Sequence, residues 1–242
     1  MGLNLPKVPG RRHGLAANAV QIDRRRALQS ARRSGGEMIH LPKRRAKPRR
    51  LNLVVLCDIS GSMTSYSRMM MHFVHSVAQV QGQSWATVHG FTFGTRLHNI
   101  SPLLTIKDPD AALRAIGSHV RDWEGGTRIA SSLGDFNMHW ARRVLSTPSV
   151  VLLITDGLER EGIAKLESEM ARMALQTREL IWLNPLLRWG QFSPQAAGIR
   201  AMLPYVSSFV ACHNLDSLQE LSDSLKNGLH ADHKKRLIGM LK

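Results

Sequence analysis

Cysteine is nearly absent from this sequence: Cys57 and Cys212 are the only two in 242 residues. So few thiols exclude a disulfide-built scaffold, and both are expected to be buried and reduced. Long hydrophobic runs are missing as well. No uninterrupted apolar stretch approaches the roughly 18 residues that a membrane-spanning helix needs, so no transmembrane segment is expected. The N-terminus shows no apolar core of a secretory signal, and Arg11-Arg12 does not make a twin-arginine signal. Pro6 occupies the Ser/Thr position of a myristoylation motif. The expected location is cytoplasmic. Two catalytic signatures are also lacking. There is no Walker A sequence, and neither Ser60 nor Ser62 sits in G-x-S-x-G, which argues against nucleotide hydrolysis and serine hydrolysis.

Acidic residues are scarce, with 18 Asp and Glu against 33 Lys and Arg, for a net charge of +15. The imbalance is local. Residues 1–50 hold fourteen of the Lys and Arg but only Asp23 and Glu37, a net +12 that leaves +3 for the rest. A nearly balanced body therefore carries a basic arm. Such an arm can meet nucleic acid, acidic lipid or an acidic protein face, but a solvated arm beside the domain is the favoured reading. No aromatic side chain interleaves its charges, so the signature of single-strand stacking is missing and nucleic acid is not the expected partner.

A hydrophobic content of 43% supports a substantial core. Residues 1–20 show little periodicity and are expected to lack fixed structure. A basic helix is expected over 21–33, stopped by Gly35-Gly36, and residues 42–50 form a charged lead-in. Residues 51–56 read as a strand buried on both faces. A helix follows over 64–81, with Met70, Phe73, Val74, Val77 and Val80 as its core face. His72 and His75, three apart on it, are read as structural. Strands at 85–93 and 96–100 make a hairpin, and Asp108 caps a helix over 108–116 with Pro109 at its first position. Further helices are expected at 130–144, 163–176, 195–203 and 215–225, and further strands at 150–154, 180–183 and 206–211. Strands alternating with helices predict an α/β fold with a mostly parallel sheet wrapped on both faces. The expected division is a basic arm over 1–50, a domain over 51–226 and a basic tail over 227–242.

The stretch Cys57-Asp58-Ile59-Ser60-Gly61-Ser62-Met63 organises the chain. Asp58, Ser60 and Ser62 fall on a strand-to-helix loop, at the carboxyl edge where α/β sheets bind ligands. Three oxygen side chains at alternate positions can turn to one point, with Gly61 easing the backbone, and hard oxygens suit Mg²⁺. Two more strand-end loops supply partners. One carries Thr127 after Gly125-Gly126, and the other carries Asp156 before Gly157.

These five residues in this order resemble the von Willebrand factor A (VWA) domain and its metal-ion-dependent adhesion site. The resemblance implies a Rossmann-like, doubly wound six-stranded sheet of order 3-2-1-4-5-6 with one antiparallel edge strand. A closer likeness covers roughly residues 22–226. The basic lead-in to Pro48-Arg49-Arg50-Leu51, the CDISGSM segment, Phe93-Gly94-Thr95-Arg96, Asp122-Trp123 with Gly125 to Ile129, and Ile181 to Leu186 together resemble the CoxE-like branch. There are two departures. The longer helical N-terminal region usual in that branch is nearly absent, and Leu158 stands where Trp is usual.

Carried over residue by residue, the resemblance implies that Ser60, Ser62 and Thr127 offer hydroxyl oxygens to Mg²⁺ or Mn²⁺, while Asp58 and Asp156 act mainly through water. The open position would take an Asp or Glu carboxylate from a protein partner, with Gly61, Met63, Gly126, Arg128, Gly157 and Leu158 at the contact. The implied role is that of a non-enzymatic adaptor beside a MoxR-type AAA+ ATPase. Its implied client is an enzyme such as a molybdenum hydroxylase of the carbon monoxide dehydrogenase type. The competing readings are a metal-dependent phosphoryl-transfer hydrolase, since Asp58 and Asp156 both follow buried strands, and a nucleic-acid-binding protein acting through the basic arm. The first motif, however, lacks a second Asp two residues on to serve as acid and base.

Overall fold

The computed structural model describes residues 7–37, 41–120, 127–159, 162–185 and 196–212. The chain divides into two compact units at the junction of Arg50 and Leu51. In the first unit, β1 (Val8–Leu15), β2 (Gln21–Ile22) and β3 (Lys43–Arg49) form an antiparallel sheet of order β1-β3-β2. Helix α1 (Arg24–Arg33) begins at Asp23, whose carboxylate accepts from Arg26 N–H at 3.2 Å. It ends before Gly35 and Gly36, both at positive φ, as the double glycine predicts.

This sheet corrects two sequence expectations. Residues 8–15 are a strand rather than structureless chain, and residues 43–49 are its partner rather than a simple lead-in. The buried residues of the unit include Val8, Ala19, Ala27 and Ala31, three of them alanines. A core of such small side chains leaves almost no hydrophobic periodicity to read.

The second unit contains β4 (Asn52–Asp58), α2 (Thr64–Gln79), β5 (Val88–Phe93), β6 (Leu97–Asn99), α3 (Pro109–His119), α4 (Ile129–His139), α5 (Ala141–Val144), β7 (Ser149–Ile154), α6 (Ile163–Gln176), β8 (Glu179–Asn184), α7 (Ala197–Met202) and β9 (Ser208–Ala211). Its six strands run in the order β6-β5-β4-β7-β8-β9, all pairs parallel except β5 with β6. Counted within the sheet this is 3-2-1-4-5-6, so β4 and β7 meet at the switch point. Every residue of β4 and β7 is buried, which is why both read as continuous apolar runs.

Several boundaries differ from expectation for physical reasons. The helix expected over 130–144 breaks at Trp140, whose ring packs edge-on against Phe91 at 5.2 Å. Trp85 is fully buried but stands outside β5, in an isolated bridge with Gln81. Val80 only caps α2, while Met71 joins its buried face. His75 is buried with Nε2 2.7 Å from the Ile106 carbonyl, a structural tie to the segment before α3. Cys57 and Cys212 are buried free thiols, with Cys212 Sγ 3.8 Å from Met70 Sδ. Burial pushes the Cys212 thiol up to about 12. No helix among the described residues is long and apolar enough to cross a membrane. The helix expected over 215–225 and the tail over 227–242 lie outside the described residues.

Candidate metal centre

Asp58 ends β4, and Asp156 lies two residues beyond the end of β7. The two strands are parallel neighbours with Cys57 opposite Ile154, so both aspartates reach the same carboxyl edge. After Asp58 the chain turns through a short 3-10 segment, Gly61–Met63, into α2. There Ser60 Oγ and Ser62 Oγ stand 3.2 Å apart. Thr127 is buried two residues ahead of α4.

Three loops carry these residues, and each is tied to the other two. Ile59 N–H donates to the Phe93 carbonyl at 2.9 Å, and Arg128 N–H donates to the Gly94 carbonyl at 3.0 Å. The Asp58 loop and the Thr127 loop therefore share an anchor at the end of β5. The Thr155 hydroxyl donates to Asp58 Oδ2 at 2.7 Å, joining the first loop to the third. The Glu159 carboxylate accepts from Ala130 N–H, joining the third loop to the start of α4. That contact supplies the N-terminal cap that Arg128, in the cap position, does not make.

The two aspartates differ in how they are held. Asp58 is fully buried and spends both oxygens within the protein, Oδ1 on Ser60 N–H at 2.8 Å and Oδ2 on Thr155. Burial pushes its carboxyl up to about 6, the hydrogen bonds from Ser60 and Thr155 partly oppose this, and the nearby Asp156 charge adds to the rise. Asp156 Oδ1 accepts from Leu158 N–H at 2.9 Å, but its buried Oδ2 has no hydrogen-bond partner among the described residues. An unpaired buried carboxylate oxygen costs stability unless something outside the chain completes it. Together with two adjacent hydroxyls and a second carboxylate, it makes a hard-oxygen donor set suited to a divalent cation such as Mg²⁺. Among the described residues no cluster of three or more His, Cys, Asp or Glu offers a metal site of another kind.

The expected contact residues divide. Gly61, Ser62, Arg128 and Leu158 are exposed, which suits a rim. Met63 is completely buried and Gly157 is buried too, so neither can meet a partner. Met63 points its chemistry into the core because the 3-10 turn carries it under α2. Gly157 has φ +78°, and a Cβ there would lie 2.6 Å from Trp182 Cζ2. It makes room for the indole, whose Nε1 donates to the Thr155 carbonyl at 2.9 Å. Gly61 has no positive φ and open space around it, so the backbone does not require glycine at that position. Gly126, with Gly125, lies outside the described residues. Sequence reasoning missed Thr155 and Glu159. Thr155 carried a faint signal, as a hydroxyl beside Asp156 at a buried strand end, whereas Glu159 carried none.

A family model for the VWA domain containing CoxE-like protein matches residues 3–218 of the chain. Comparison with curated proteins finds no match. Among solved structures, proximal thread matrix protein 1 from the mussel byssus aligns with a TM-score of 0.47 and 16% identity, over 73% of this chain and 47% of that one. The same mussel protein with a zinc-occupied MIDAS motif aligns at 0.45 and 17% identity, over 73% and 47%. A von Willebrand factor type A protein from Catenulispora acidiphila aligns at 0.49 and 15% identity, over 80% and 43%. The chain thus spans less than half the length of each of these three structures.

Proposed function

The chain belongs to the CoxE-like family of VWA-domain proteins, and on that premise we propose that it is a metal-dependent protein-binding adaptor rather than an enzyme. The observation that carries this reading is the contrast between the two buried aspartates. Asp58 accepts a hydrogen bond on each oxygen, from Ser60 N–H and from the Thr155 hydroxyl, and these fix its orientation. Asp156, beside it, keeps one oxygen unpaired among the described residues. A site built in this way is suited to holding an ion.

Ser60, Ser62, Thr127, Asp58 and Asp156 would hold the metal, Mg²⁺ or Mn²⁺. When bound, the ion supplies an electrophilic position for an outside oxygen, because neutral hydroxyls quench its charge poorly. The ligand for that position is an Asp or Glu side chain of a protein partner, received at the exposed rim of Ser62, Arg128 and Leu158. The family suggests a MoxR-type AAA+ ATPase and a client such as a molybdenum hydroxylase as those partners, working in the cytoplasm. Two measurements test the reading. Calorimetric titration with Mg²⁺ should show one site that is lost in Asp58→Ala with Ser60→Ala. Pull-down with the intact chain should recover an ATPase or client that the same variant and EDTA both release. Retention that ignores the variant and the chelator would remove the mechanism.

A further inference from the structure

Five of the eight large apolar side chains exposed among the described residues lie in the first unit: Leu15, Val20, Ile22, Leu28 and Leu41. The same short unit holds fourteen Lys and Arg. These two properties are arranged, not mixed. The nine residues Gly14 to Ile22 carry no charge at all, and they run from the end of β1 through the connection and along β2. Val20 stands at the connection 98% exposed, with Leu15 and Ile22 exposed at its two bases.

The connection is a built loop. Ala16 N–H donates to the Lys43 carbonyl at 3.1 Å, and Ala19 N–H donates to the Ala16 carbonyl at 3.2 Å. Arg45 Nη2 donates to the Asn18 carbonyl at 3.3 Å, and Ala19 is buried beneath the turn. Cations line its base. Arg44 lies opposite both Leu15 and Gln21 in the sheet register, and Lys43 lies opposite Ile22. A cavity of about 410 Å³ at the base is lined by Val20, Gln21, Ile22, Arg24 and Arg44. One helical turn beyond Arg24, Leu28 is 60% exposed and extends the apolar stripe along α1.

We propose that this loop and the cations at its base form a docking surface for an anionic lipid bilayer. Aliphatic side chains held at a protruding tip can enter the acyl boundary while the adjacent guanidinium and ammonium groups meet acidic headgroups. A short apolar loop alone binds membranes weakly, as does a basic patch alone, and the two together make a stable reversible anchor. Nucleic acid fits less well, because the unit has no Phe, Tyr or Trp to stack on bases and Val20 has nothing to read. The inference is independent of the metal site.

The test uses the full chain and vesicles of phosphatidylcholine with or without phosphatidylglycerol. Flotation should recover the chain only with the anionic vesicles, and high salt should weaken the association. Val20→Asp with Ile22→Asp, both at exposed positions, should reduce partitioning roughly tenfold or more while leaving thermal unfolding unchanged. Val20→Cys can be labelled selectively, because Cys57 and Cys212 are buried. An environment-sensitive dye there should shift to an apolar signature on anionic vesicles and stay aqueous on duplex DNA. No anionic binding, or binding that the Val20→Asp, Ile22→Asp variant retains with the dye still aqueous, would overturn the proposal. Retention on duplex DNA but not on anionic vesicles, by wild type and variant alike, would assign the surface to nucleic acid instead.

Discussion

Thr155 gives its hydroxyl proton to Asp58 Oδ2 at 2.7 Å and takes the Gly157 N–H on the same oxygen at 3.2 Å. One side chain thus fixes the carboxylate of the first loop and the backbone of the third. Removing that oxygen strands two buried polar groups at once, each costing about 1–3 kcal/mol.

Thr155→Val keeps the shape and deletes the hydroxyl. Chemical denaturation should show a loss on the order of 2 kcal/mol or more, and Mg²⁺ affinity should fall roughly tenfold because Asp58 is no longer oriented. Thr155→Ser should restore most of both. A Val variant with wild-type stability would show that Thr155 does not hold the centre together.

The glycines of the site separate backbone need from bystander. Gly157→Ala places a Cβ at φ +78° and 2.6 Å from the buried indole of Trp182, so unfolding should be easier by about 2–4 kcal/mol. Gly61→Ala meets nothing within 4 Å and no forbidden φ, so it should be neutral or slightly stabilising. Melting temperatures of the two single variants, compared with wild type, decide whether glycine matters at one position or both.

Much of the sheet was legible because its strands are buried on both faces. Val54-Val55-Leu56 and Val150-Val151-Leu152-Leu153-Ile154 cannot be mistaken for amphipathic surface. The five candidate ligands were legible because oxygen side chains at alternate positions after such a strand are a compact pattern. The ties between loops were not. Glu159 reaches Ala130 across 29 positions of sequence, and nothing local marks a Glu as a cap for a distant helix. The fate of Met63 was hidden for a similar reason, since burial at a strand-to-helix turn depends on how α2 closes over it. The strand Val8–Leu15 escaped because two glycines, Pro9 and two arginines mask the alternation that a half-buried strand shows.

That strand gives a prediction opposite to the one its composition suggests. Removing residues 1–20 deletes β1 and leaves the β3 backbone groups that pair with it without their partner. Removing residues 1–7 leaves the pairing intact. The longer truncation should lose protection of Lys43 to Arg49 amides in hydrogen exchange, and the shorter one should not. Equal protection in both truncations would show that β3 holds its structure without β1.

The last prediction couples protons to the metal through Asp58. Its folded carboxyl is raised to about 6 from an ordinary value of 3.8. The folded state therefore holds this proton more tightly than the unfolded chain does. The resulting stability is fully present below the unfolded value and is lost as pH rises through 6. Above that, the bare carboxylate is a burden on the order of 3 kcal/mol at most. Asp58→Asn removes the charge, so metal-free Asp58→Asn should gain on wild type as pH rises from 5 to 7.5, whatever their offset at low pH. Adding Mg²⁺ should stabilise wild type at pH 7.5 and do little at pH 5, because the ion needs the ionised form. It should not stabilise Asp58→Asn at either pH. Thermal unfolding of both proteins, with EDTA and with Mg²⁺ at the two pH values, reads all of these at once. Stabilisation of wild type by Mg²⁺ that is equal at pH 5 and 7.5, or that persists in Asp58→Asn, would place the ion somewhere other than this centre.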